Sequence, residues 1–216
     1  MILNFSSFLK TLKDNYIRSF TATAVSFLLS FPSFGQADSD CELRKDEEGI
    51  KIYSCKSGQS KYKVIKADFT VNTTLSEFAQ VMLDIDQYTT WQYNTVKSRV
   101  IKKINEHEVV YYTEISAPWP LNNRDVTVHL TITTDHTKKL VVSSRSVEGY
   151  IPKKENTVRV PMSNATWVVT AESDTRLRVN YTLQVEPGGS VSPWMINMVS
   201  DEGPFESFRD LRKRFK

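Results

Sequence analysis

At 216 residues, with 40% hydrophobic and 25% charged side chains, the chain has ordinary globular composition and enough apolar residues for one domain with a sizeable core. Its formal net charge is +3, and Lys10, Lys13, Asp14 and Arg18 all lie near the start; without them 25 basic residues face 24 acidic ones, or +1. That near-neutral balance excludes a general affinity for nucleic acid.

In chain order, the basic residues Lys10, Lys13 and Arg18 precede an apolar run from Phe20 to Phe34, and small residues follow at Gly35 and Ala37. This is the layout of a secretory signal peptide, so residues 1–37 are expected to be removed and 38–216 to form an exported, periplasmic or secreted domain. The run contains Ser, Thr and Pro32, which makes it a poor permanent membrane span. Cys41 and Cys55 flank a hairpin-like segment that turns at Asp46-Glu47-Glu48-Gly49. The register sets Cys41 opposite Ser54 or, with one bulged residue, opposite Cys55, and a disulfide is then compatible with export. Two buried free thiols are the competing reading, and a metal site lacks a nearby histidine.

Residues 61–71 alternate as a strand, with Tyr62, Val64, Phe69 and Val71 on its apolar positions, and Asn72-Thr73-Thr74 ends it. Ser76 is placed to cap a helix in which Phe78, Ala79, Met82, Leu83 and Ile85 recur at helical spacing. Tyr88, Trp91 and Tyr93 follow in a polar, turn-like stretch. Strands are predicted over 96–104, 108–117, 125–134, 139–147, 157–172, with a break at Pro161, and 176–186. Joined by short turns, they are expected to be antiparallel neighbours. The last helix is predicted to start with Ser192 as cap and Pro193 at its first position. Met195, Met198, Val199, Phe205, Phe208, Leu211 and Phe215 form its apolar stripe, interrupted by Glu202, and Gly203-Pro204 is expected to kink it. The class is therefore α+β.

Two segments carry a family resemblance. Ile115 to Ile132 runs from a strand into Pro118-Trp119-Pro120, then Asn122-Asn123-Arg124-Asp125, then an alternating strand; Pro193-Trp194-Met195 opens a closing helix. Together with Asp84-Ile85-Asp86-Gln87-Tyr88-Thr89-Thr90-Trp91, these resemble the START (StAR-related lipid-transfer) domain family, which has the helix-grip fold. The resemblance implies a curved antiparallel sheet wrapped around a long C-terminal helix, with an interior tunnel that carries a lipid or another hydrophobic small molecule and needs no cofactor.

It also assigns the candidate site. Val126, Val128, Leu130 and Ile132 share one strand face and become tunnel-wall residues, while Trp194, Met195, Met198 and Val199 become the lid. The alternative is that both sets simply fill a core. Tyr112 and Glu114 share a face and can supply polar contacts, but Tyr111, Thr113 and Ile115 are equally eligible for the interior. Arg124 is a corner-forming residue or, through its guanidinium, a contact for phosphate or carboxylate. Arg209, Arg212 and Arg214 beside Phe205, Phe208 and Leu211 suit a transient membrane-surface contact; a solvated helix end favoured by the helix dipole explains the same charges. The implied carrier is a monomer.

Residues for chemistry are scarce. His107, His129 and His136 are scattered without metal or triad spacing, and neither a Gly-x-Ser-x-Gly elbow nor a phosphate loop occurs. No catalytic residue and no metal site are assigned. The rival reading, a polyketide cyclase or aromatase on the same scaffold, requires Tyr112, Glu114 and a histidine to meet inside the cavity.

Overall fold

The computed structural model describes residues 40–58, 60–135, 138–190 and 201–215. The chain divides into two units, residues 1–37 and 38–216, and every described residue belongs to the second.

Its elements in chain order are β1 (Cys41–Glu47), β2 (Ile50–Cys55), β3 (Val64–Val71), α1 (Leu75–Leu83), a 3-10 turn (Ile85–Thr90), β4 (Thr95–Asn105), β5 (Glu108–Ile115), β6 (Asn123–Thr134), β7 (Lys139–Ser146), β8 (Thr157–Arg159), β9 (Met162–Ser173), β10 (Arg176–Glu186) and α2 (Glu202–Lys213). Nine strands form one antiparallel path, β1-β2-β3-β10-β9-β7-β6-β5-β4, and β8 joins β6 in parallel. The sheet with its C-terminal helix is the helix-grip arrangement.

Period-two burial explains which face holds the core. Ile65, Ala67, Phe69 and Val71 on β3 are buried, as are Leu177 and Val179 on β10 and Trp167 and Val169 on β9. Against this face lies the stripe of α2, in which Phe205, Phe208 and Leu211 are buried and Phe208 stacks on Phe69 at 4.7 Å between ring centroids. Phe78 and Met82 of α1 enter the same core, and Phe78 stacks on Phe215 at 5.8 Å.

Several local expectations need correction. Thr74, not Ser76, caps α1: its hydroxyl accepts from the Glu77 amide while the Glu77 carboxylate accepts from the Thr74 amide, so two otherwise orphaned donors are satisfied together. The third strand starts at Val64 rather than at residue 61. The break expected at Pro161 is present: it divides 157–172 into β8, which pairs with β6, and β9, which pairs with β7 and β10. Gly203-Pro204 lies in the first turn of the described helix, where a missing N–H removes no helix hydrogen bond, and the segment preceding the expected kink lies outside the described residues. The expected cap and start at Ser192 and Pro193 lie outside the described residues.

Candidate functional site

An interior cavity of about 350 Å³ opens between the sheet and α2. Val126 and Val128 of β6 line it, with Tyr111, Thr113 and Ile115 opposite on β5. The register explains this grouping: Tyr111 pairs with Val128 and Thr113 with Val126, and directly paired residues project to the same side. Ser163, Ala165 and Trp167 of β9 and Tyr181, Leu183 and Val185 of β10 continue the wall, while Gly203, Pro204, Ser207 and Phe208 of α2 cover it. Met82 and the segment after α1, with Tyr88, Trp91, Gln92, Tyr93 and Thr95, complete the lining.

Most polar groups here are already engaged. Tyr88 Oη donates to the Met82 carbonyl at 2.5 Å, Thr113 Oγ1 to the Lys97 carbonyl at 3.2 Å, and Ser207 Oγ to the Gly203 carbonyl at 2.8 Å while accepting from the Tyr93 amide at 3.0 Å. Burial pushes the phenols of Tyr88, Tyr111 and Tyr181 above their ordinary range, and the hydrogen bond to Ser144 only partly offsets this at Tyr111. All three remain neutral donors at any physiological pH.

Tyr112 and Glu114 are corrected to the opposite face of β5, because residues 111, 113 and 115 take the cavity side. There the buried Glu114 carboxylate accepts from Lys97 Nζ at 3.2 Å, Tyr112 Oη at 3.1 Å, Lys154 Nζ at 3.3 Å and Asn123 Nδ2 at 3.1 Å. Burial would raise its pKa, but the bonds from Asn123, Lys97, Tyr112 and Lys154 outweigh that and hold it down at about 2. Burial and the neighbouring Glu114 push the Tyr112 phenol up. The group is a structural ion cluster that fastens Lys154 of the 147–160 connection to the sheet.

Leu130 and Ile132 do share the inner face with Val126 and Val128, but they lie beyond the cavity in filled core, Leu130 opposite Val109 and Ile132 opposite Val142. Arg124 is outside the lining and donates from Nη1 to the Asn122 carbonyl at 2.6 Å. Its neighbour Asp125 projects the other way and takes a two-pronged contact from Arg159, at 2.8 and 3.1 Å. Trp194, Met195, Met198 and Val199 lie outside the described residues, as does His136. His129 contacts Glu108 at 2.6 Å on the side away from Val128, so among the described residues Tyr112, Glu114 and a histidine do not meet inside the cavity. Among the described residues, no group of three or more His, Cys, Asp or Glu is placed to hold a metal.

Of the described basic residues at the C-terminal end, Arg212 alone turns onto the sheet, while Lys213 and Arg214 stay exposed. Arg212 donates to the carbonyls of Thr70, Glu48 and Gly49, Arg209 contacts Glu206, Lys213 contacts Asp210 and Arg214 reaches Thr90. With Phe205, Phe208 and Leu211 of its apolar stripe buried, α2 is latched to the sheet.

The START domain family model matches residues 37–216. The chain belongs to the START domain family. Among its START relatives is the mouse phosphatidylcholine transfer protein, 28% identical over 182 residues that cover 81% of this chain and 83% of that protein. An uncharacterized protein of Pseudomonas aeruginosa is 25% identical over 173 residues, covering 80% of this chain and 85% of that one. The crystal structure of a STAR-related lipid transfer protein from Xanthomonas axonopodis superposes with a TM-score of 0.75 at 27% identity, covering 82% of this START chain and 98% of that one.

Sequence reasoning missed the largest part of the START cavity. Trp167, Tyr181 and Trp91 read as strand or turn aromatics, and only the pairing of β9 with β10 and β7 brings their rings together with Phe208. The one usable signal was the cluster of aromatic residues after α1, at Tyr88, Trp91 and Tyr93.

Proposed function

We propose that the chain binds a lipid in this cavity and carries it between membranes, acting as a monomer. The observation that carries the reading is a cavity between sheet and helix, uncharged and aromatic-walled among the described residues, in a START chain. Apolar burial at roughly 25 cal/mol per Å² offsets the loss of contacts in the bilayer, so shielding alone performs transport and no bond need be made or broken. The phosphatidylcholine and lipid transfer named for its relatives belongs to the same kind of activity.

The lipid is exchanged at an exported, non-cytoplasmic site. The Cys41–Cys55 disulfide supports this location, since such bonds persist in oxidising compartments, and so does the signal-like composition of residues 1–37. Contact with the bilayer runs through the corner between β5 and β6. Trp119 there is 92% exposed and follows shortly after the cavity-lining Ile115, and an amphipathic indole suits the head-group layer.

A vesicle assay tests both parts. Chain 38–216 should speed movement of a fluorescent lipid from donor to acceptor vesicles, and Trp119→Ala should slow it severalfold while leaving equilibrium binding unchanged. Transfer no faster than the spontaneous rate contradicts carriage; an unaltered rate in the variant removes Trp119 from the membrane step.

A further inference from the structure

Among the described residues, every side chain that lines the cavity is uncharged. At about 350 Å³ the cavity lies near the lower end of the range for small-molecule sites, about 300–1,000 Å³, and is far too small for a molecule with two long acyl chains. A phosphate head group would also find no guanidinium or ammonium in the lining, since Arg124, two residues from Val126 on the same strand, stands outside it with Nη1 committed to the Asn122 carbonyl.

One polar atom in the wall is unsatisfied. Trp91 is only 2% exposed, and among the described residues its Nε1 is the one buried, unpartnered side-chain nitrogen or oxygen that belongs to a cavity-lining residue. Its ring is held edge-on by Tyr88 at 5.1 Å and Trp167 at 6.5 Å, so it cannot turn to find an acceptor elsewhere without breaking that packing. Indole N–H only donates, and a buried donor usually has a partner. None of the neighbouring polar groups, Tyr88, Tyr111, Thr113 and Ser207 among them, accepts from it. The cavity is the space from which an acceptor can come.

We propose that the ligand is a neutral, compact, apolar molecule with an oxygen acceptor, an alcohol, ketone or ester, whose oxygen takes the Trp91 Nε1–H while its hydrocarbon body lies among Trp167, Tyr181, Phe208, Val126 and Val128. A two-chain phospholipid is not the cargo. This inference rests on the reading of the chain as a lipid carrier and specifies the class of lipid.

The test uses three fluorescence-monitored probes on chain 38–216: all-trans-retinol as a neutral alcohol, anhydroretinol as its hydrocarbon counterpart, and a fluorescently tagged diacyl phosphatidylcholine. Retinol should bind one per chain and phosphatidylcholine should not. Trp91→Phe, which keeps a ring against Tyr88 and Trp167, should weaken retinol about tenfold and leave anhydroretinol unchanged. In the unsubstituted protein, where folding of the variant is not at issue, the Trp91 indole proton should move downfield in the NMR spectrum with retinol and not with anhydroretinol.

Phosphatidylcholine that binds one per chain as tightly as retinol overturns the inference and leaves lipid carriage standing. Equal losses for both retinoids in the variant, or an unmoved indole proton, overturn the hydrogen bond. Failure of all three probes to bind removes lipid carriage and the inference with it.

Discussion

Glu114 stays ionised in a buried position because four donors converge on it, and this makes it a pH-dependent fastener rather than an acid catalyst. Its folded-state pKa of about 2 lies below the ordinary value of 4.5, so the stabilisation is complete above the unfolded pKa and disappears as pH falls from about 4.5 to about 2. Glu114→Gln should therefore cost about 1–3 kcal/mol in urea unfolding at pH 7, with the gap to the parent narrowing towards pH 2. A gap that stayed constant over that interval would show that the charge is not what matters. Parity decided the rest of this strand: a register shift of one residue exchanges Tyr111, Thr113 and Ile115 for Tyr112 and Glu114, and alternation within β5 is buried on both faces, so its own pattern could not choose. Only the pairing with β6 does.

At the level of elements, strands with one polar face were legible almost to the residue, since β10 spans Arg176–Glu186 and β7 Lys139–Ser146 as alternation predicted. The Cys41–Cys55 pairing also follows from the hairpin register, with the irregularity between Leu43 and Lys45 supplying the expected bulge. Replacing both cysteines with serine should cost about 3 kcal/mol of unfolding free energy by freeing the loop in the unfolded chain. Denaturant midpoints that coincide for parent and variant would contradict that estimate. What period alone did not reveal was the use of the charges on α2, because solvated, membrane-facing and inward-bonded arginines have the same sequence pattern. Arg212 makes three contacts with backbone carbonyls at the β1–β2 turn and the end of β3, and Arg212→Ala should lower stability by about 1.5–3 kcal/mol in the same assay. A loss within about 0.5 kcal/mol, as for ordinary surface changes, would mean that the latch is dispensable.

For the molecule as a whole, carriage requires that the space under α2 admit and release a ligand. The cover is α2, held near the mouth by the Ser207 hydroxyl at the Tyr93 amide and at its far end by Arg212. Cysteines introduced by Tyr93→Cys and Ser207→Cys should, once joined, halt ligand exchange, and the same variant with those thiols alkylated should exchange normally; exchange through the joined form would place the entrance elsewhere. The family and the antiparallel pairing of consecutive strands were legible because corner and strand signals are local, whereas the pairing of β10 with β3 and the cavity size were not, since they depend on where distant segments such as those of Trp91, Trp167, Tyr181 and Phe208 meet. The most direct test of carriage is gentle native mass spectrometry of the protein from its own host, followed by organic extraction of whatever is released. One molecule of a neutral, oxygen-bearing lipid per chain is the predicted result. A chain that arrives empty and takes up no lipid from vesicles would contradict the account.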